Sequence, residues 1–216
     1  MKSATFFGIS LLLSLCCSLS AQADDSLYLL SVDEFKNHDE VQKAVQERNF
    51  NASLMAAAIF HASNSIRKKE NLPPLTYAAS LQKAASEHAE AMLSANFFGH
   101  INKRDRAGKT PALRVANAGG TFKSVAENIA ENTLYQLSES GYIREDDGLY
   151  TTDGNPLEYH SYWSLAEKIV VGWMKSPGHR ANLLGDYQYL GCGVSPIFTK
   201  QEVLPVLFAV QNFASQ

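Results

Sequence analysis

Two histidines and one glutamate hold the chemistry that this chain's residue types and spacing make available. His100, in Phe97-Phe98-Gly99-His100, and His179, in Ser176-Pro177-Gly178-His179-Arg180, each follow a glycine just past an expected helix end. A helix-to-loop junction is where side chains from distant segments can converge on a cleft. Glu127, in Ala126-Glu127-Asn128-Ile129-Ala130, is a carboxylate in a stretch too apolar to be a surface loop. Two neutral imidazoles and a carboxylate suit a borderline metal. Zn²⁺ is the natural occupant, with His100 and His179 as ligands and an open position for water. Without metal the same trio could do acid-base work, because histidine titrates near neutrality and a carboxylate fixes its tautomer.

The other candidates read as structural. His88 lies between Ala84 and Met92 on the apolar face of its helix and is expected in the core, away from the cleft; His61 is read the same way, while His38 and His160 sit in polar, solvated stretches. Cys192, between Gly191 and Gly193 in an apolar strand, reads as a small buried hydrophobe. The chain has no Gly-x-Ser-x-Gly, His-Glu-x-x-His, phosphate loop or Cys-x-x-Cys, and Gly191-Cys192-Gly193 lacks the third glycine of a dinucleotide site. A formal charge of -3 without a basic, aromatic-interleaved stripe argues against nucleic acid as a partner.

The elements that must position these residues are mostly helical at first. Met55, Ile59, Ala62 and Ile66 recur at helical steps after a plausible N-cap at Asn51, and this helix stops before Pro73-Pro74. A second helix is expected from about Ala78 to Ala95, and a short third from Thr110-Pro111 to Gly119-Gly120. A fourth begins at Ser164, whose spacing to Glu167 predicts a capping box, and ends at the breakers Pro177-Gly178. Tyr189 to Pro196 and Val203 to Phe213 are expected strands of an antiparallel hairpin, joined by Thr199-Lys200-Gln201-Glu202. Residues 131–162 are polar and too long for an ordinary connection, so they form an insertion with turns at Asp146-Asp147-Gly148 and Asp153-Gly154. Helices first and strands last predict an α+β fold, with helices covering a small antiparallel sheet.

At the N-terminus, Lys2, the apolar run Phe6 to Leu15 and Ala21-Gln22-Ala23 have the pattern of a signal peptide cleaved after Ala23. The run is too short for a membrane span, and no later segment comes closer, so a secreted or periplasmic protein is expected. Leu15 and Cys16 precede the leader cysteines where lipidation signals want a small residue, which argues against a lipoprotein. Removing residues 1–23 takes one lysine and two of three cysteines, leaving Cys192 with no internal disulfide partner. Residues 24–50 read as an extension packed on the domain through Val32, Phe35, Val41 and Val45.

In order along the chain, Phe60-His61-Ala62-Ser63-Asn64-Ser65-Ile66-Arg67, His88-Ala89 to Phe98-Gly99-His100, Glu127-Asn128-Ile129-Ala130, Trp173 to Leu184 and Leu190-Gly191-Cys192-Gly193-Val194 resemble the CAP superfamily of cysteine-rich secretory, antigen 5 and pathogenesis-related proteins, in its bacterial form. The resemblance covers roughly residues 51–213 and implies an α-β-α sandwich whose cleft gathers two histidines and acidic residues. His100, Glu127 and His179 match three of four cleft positions; the fourth, acidic in many eukaryotic members, falls on Ser176. Two functions are open. One is an exported binding module that takes a lipid, a small molecule or an envelope component, with a cleft metal tuning the site. The other is a metal-dependent, peptidase-like hydrolase with Glu127 as base. Binding is preferred, because losing the second acid weakens catalysis more than it weakens a ligand pocket.

Overall fold

The structure is a computed structural model and describes residues 25–137, 140–146, 148–198 and 204–216. The leader pattern over residues 1–23, the expected strand link over 199–202 and the first expected strand residue, Val203, lie outside the described residues. The central sheet has the order β1-β5-β6-β2, with β1 Thr76–Tyr77, β2 Ser124–Thr133, β5 Tyr189–Ile197 and β6 Val206–Ser215. Helices α3 (Ala52–Lys69), α6 (Tyr162–Lys175) and α7 (Pro177–Leu184) cover one face; α4 (Ala79–Ser94) and α5 (Pro111–Asn117) cover the other. This is the expected α+β, α-β-α arrangement. The sheet departs from the expected all-antiparallel form at one edge, where β1 pairs parallel with β5. The β5–β6 hairpin pairs antiparallel from Tyr189 opposite Ala214 to Ile197 opposite Val206.

Locally encoded ends appear where their caps predict them. Asn51 accepts from the Leu54 N–H at 3.0 Å, and Thr110 accepts from the Leu113 N–H at the start of α5, ahead of Pro111 at the first turn. Of the expected extension, the described residues 25–50 contribute two short α-helices, α1 (Val32–Lys36) and α2 (Asp39–Gln42), and bury Phe35, Val41 and Val45 against α3 and α6.

Two expected boundaries are corrected. α6 begins at Tyr162, two residues before the expected Ser164: Ser161 is its N-cap, and Ser164 supplies the reciprocal bond of the capping box. The earlier start buries both Tyr162 and Trp163. It also leaves Glu167 on the surface, 3.9 Å from Lys36. At the other end, α6 stops at Lys175, just before the expected breakers, but Pro177 opens a further helix, α7, as proline does in a first turn, so His179 lies on a helix and not in a loop. The expected 131–162 insertion begins inside β2, which runs to Thr133, and then forms the hairpin β3 (Tyr142–Glu145) and β4 (Gly148–Thr151).

The Gly191-Cys192-Gly193 segment has a packing function. An added Cβ at Gly191 would fall 2.1 Å from the Gln82 nitrogen, and one at Gly193 would fall 2.1 Å from the Ser86 nitrogen. The two glycines therefore let the α4 backbone lie directly on β5, while Cys192 between them is fully buried.

Candidate ligand and metal cleft

β2 is the outer strand of the sheet, and it organises the site because consecutive residues point to opposite faces. Glu127 turns toward α4 and α5. Asn128 turns toward α7, donating to the His179 carbonyl at 3.1 Å and to Gln211 Oε1 at 3.2 Å, while its own oxygen accepts from Asn182 at 2.9 Å. Asn182 also donates to the Glu127 carbonyl at 3.3 Å. These bonds stitch α7 to the strand. Trp173 adds a bond from Nε1 to the Ile129 carbonyl at 3.0 Å.

The structure brings the three sequence-derived site residues together. His100 Nδ1 lies 2.9 Å from Glu127 Oε1, and the His100 and His179 ring centroids are 6.5 Å apart. His100 is 44% exposed, whereas the Glu127 side chain is 1% exposed, so the carboxylate stands behind the imidazole and not beside it in the cleft. With the bonded proton on His100 Nδ1, Nε2 keeps its lone pair for a ligand or metal. Burial, and then the neighbouring His100, push the His179 pKa below the ordinary histidine value, which favours its neutral, ligating form.

Glu127 is more fully committed than the sequence reading allowed. Arg114 donates to its Oε2 at 2.7 Å. Asn212, opposite Glu127 in the β2–β6 register, donates to the same oxygen at 3.2 Å when its amide is oriented to accept from the Ala85 N–H. Arg114 is itself buried; it also donates to the carbonyls of Gly108 at 3.0 Å and His100 at 3.1 Å. Neither Arg114 nor Asn212 was singled out from the sequence. The one available signal for Arg114 was a cation beside Val115 on a short helix whose apolar face must be buried.

His88 is fully buried, as its helical spacing predicts, yet it is not remote from the cleft. Its Nε2 bonds the Gly99 carbonyl at 3.1 Å and lies 3.8 Å from Glu127 Oε1. α4 ends close to β2, and that brings its core face to the carboxylate. Burial, reinforced by Arg114 and His100, lowers the His88 pKa against the opposing pull of Glu127 and the Gly99 bond. Ser176 is half-buried at the α6–α7 junction, where its N–H bonds the Trp173 carbonyl; among the described residues no hydrogen bond joins it to Glu127 or to either cleft histidine. Among the described residues, no three histidine, cysteine, aspartate or glutamate side chains are grouped to hold a metal. Of the sequence-derived trio, the two imidazoles are the side chains left with a nitrogen open to a ligand, while Glu127 is bonded to the back of one of them. An apolar cavity of about 670 Å³ lies elsewhere, between residues 28–33 and α3.

His61 is buried and its Nε2 bonds the Leu27 carbonyl at 2.8 Å, as a core histidine should. His160 departs from its expected solvated state. It is half-buried, its Nδ1 bonds Ser164 Oγ at 3.0 Å, and Lys168 Nζ lies 3.4 Å from its Nε2.

Comparison with known proteins matches residues 60–213 to the cysteine-rich secretory protein family, CAP, so this chain belongs to that family. The uncharacterized membrane protein YlbC of Bacillus subtilis is 29% identical over 147 residues, which are 68% of this chain and 33% of that protein. The human Golgi-associated plant pathogenesis-related protein 1 is 24% identical over 68% of this chain and 90% of its own length. An extracellular protein containing an SCP domain from Bacillus anthracis superposes with a TM-score of 0.52 and 23% identity, over 76% of this chain and 41% of that one. The chain thus spans about a third of the first relative and two-fifths of that solved structure, and the latter likeness is one of fold. Among the described residues no helix is long and apolar enough to cross a membrane.

Proposed function

We propose that this CAP protein is an exported binding module. Its cleft takes a lipid, small-molecule or envelope ligand beside a metal held by His100 and His179, for which zinc is the fitting ion. The observation that carries the binding reading over the hydrolase reading is the engagement of both Glu127 oxygens, by His100 and by Arg114. A general base must reach the proton it abstracts, and a buried carboxylate facing an arginine and the back of an imidazole is built to orient instead. Two imidazoles supply two ligand positions and leave the others to water or to the bound molecule. When present, zinc would supply a Lewis-acidic anchor for a ligand donor atom. Export is supported by the leader pattern at residues 1–23 and by the extracellular character of the Bacillus anthracis relative.

The test is metal analysis and zinc titration calorimetry on the purified protein beside His100→Ala and His179→Ala, with a peptide-library cleavage screen run in zinc and in chelator. Stoichiometric zinc in the parent, lost in both variants, with no chelator-sensitive cleavage is the expected result. Chelator-sensitive cleavage that disappears in Glu127→Gln would replace binding with hydrolysis, and absence of zinc from the parent would remove the metal.

A further inference from the structure

Before His100 the chain is anchored by Phe97 and Phe98, which pack on His88 and Phe208, whereas a Cβ added at Gly99 would meet no atom within 4 Å. At Gly99-His100 the backbone is held through its carbonyls. Gly99 O accepts from His88 Nε2 at 3.1 Å, and His100 O accepts from Arg114 at 3.1 Å. The same two buried side chains also face the His100 partner, Glu127, at 3.8 Å from His88 and 2.7 Å from Arg114. We infer that His88 is a positioning residue for the cleft. Donating from Nε2 to Gly99, it fixes the loop so that the His100 proton stays on Nδ1 against Glu127 and Nε2 points outward.

A purely apolar role does not account for His88. Its neighbours on α4 include Ala84, Ala85 and Met92, among which a hydrocarbon side chain would leave no polar atom buried, whereas His88 Nδ1 is buried with no hydrogen-bond partner among the described residues. An unpaired buried nitrogen is unfavourable. The Nε2 bond is the counterpart that explains its presence, and that bond leads to the residue before His100. The tautomer claim stands on this geometry alone; its consequence for metal affinity rests on the proposed function.

Long-range ¹H–¹⁵N correlation spectra of the metal-free protein read the proton position on each imidazole. In the parent protein His88 should carry its proton on Nε2 and His100 on Nδ1. Finding His88 protonated on Nδ1 instead overturns the inference, whatever the variants do. In His88→Met the released loop should let His100 move toward the Nε2–H form, and zinc affinity should fall at least about tenfold, the usual scale for losing an outer partner of a ligand. His88→Gln, which retains a donor for Gly99, should restore both. An unchanged His100 tautomer in a folded His88→Met protein, or equal shifts in Met and Gln variants, would reduce His88 to a core filler. A parent protein that binds no zinc would sink the proposed metal while leaving the tautomer result to decide this inference.

Discussion

Two histidine clusters in this protein use similar side chains to opposite ends. At the cleft, His100 is backed by a carboxylate, itself gripped by a buried arginine, and its other nitrogen faces outward. On the α6 face, His160 lies between the Ser164 hydroxyl and the Lys168 ammonium. There the nitrogen that could take a metal already accepts from a cation, and the partner of the other is a neutral hydroxyl. The sign of the neighbouring charge, and not the presence of histidine, separates a site that can hold a cation from one that repels it. Burial first, and Lys168 second, push the His160 pKa down to about 4.

The sharpest way to break this contrast is to remove the arginine that balances the cleft carboxylate. Arg114→Met leaves Glu127 buried and without its cationic partner, which should cost about 3–5 kcal/mol, the range for breaking a buried ion pair from one side. Urea denaturation checks this. A loss below about 1 kcal/mol would mean that water reaches Glu127 and that the pair behaves as an exposed one. Lys168→Met at the other cluster should have a far smaller effect, since it removes a cation that has no anionic partner among the described contacts of His160.

The second effect tests how the α6 cluster is anchored. Ser161→Ala removes the side-chain cap of α6 and should destabilise the protein by about 1 kcal/mol. Zinc binding should be unchanged, because no cleft ligand lies on α6. Metal loss in that variant would show that α6 supports the cleft through α7.

What the sequence made legible here was what short-range chemistry determines. Asn51 and Thr110-Pro111 announce their helices because the cap and the first turn lie within three residues of each other. The two glycines flank Cys192 in a strand that reads as apolar, but their reason, the α4 backbone at 2.1 Å from an added Cβ, is a tertiary contact. From its spacing to Glu167, Ser164 reads as the cap; the structure moves the cap to Ser161 and buries Tyr162 and Trp163, which depends on what packs against α6. β2 escaped assignment because both of its faces are covered there and the buried residues on them include the polar Glu127 and Asn128, so the strand shows neither alternation nor an apolar run. The motif residues His100, Glu127 and His179 could be named before the fold was known. Their division of labour could not, since it depends on Arg114 and Asn212 reaching the same carboxylate from α5 and β6.

The smallest expected effect is a pH dependence of stability at the α6 cluster. A histidine whose folded pKa is lowered binds its proton less readily folded than unfolded, so folding loses stability as pH falls through the unfolded value, near 6.5, and the loss levels off below the folded value. For His160 that window runs from about 6.5 down to about 4. His61 and His88 shift in the same direction through burial and add to the acid side of the curve. His160→Gln removes one titrating group and retains a side chain able to bond Ser164 and Lys168. The midpoint of urea unfolding, measured at pH 7, 5.5 and 4.5, should therefore fall less steeply in this variant than in the parent. The His160 contribution is moderated by its partial exposure, so the change is one of slope and not of fold. Identical slopes would mean that His160 titrates normally and that Lys168 lies too far away in solution to matter, which would dissolve the contrast between a histidine set beside a cation and one backed by a carboxylate.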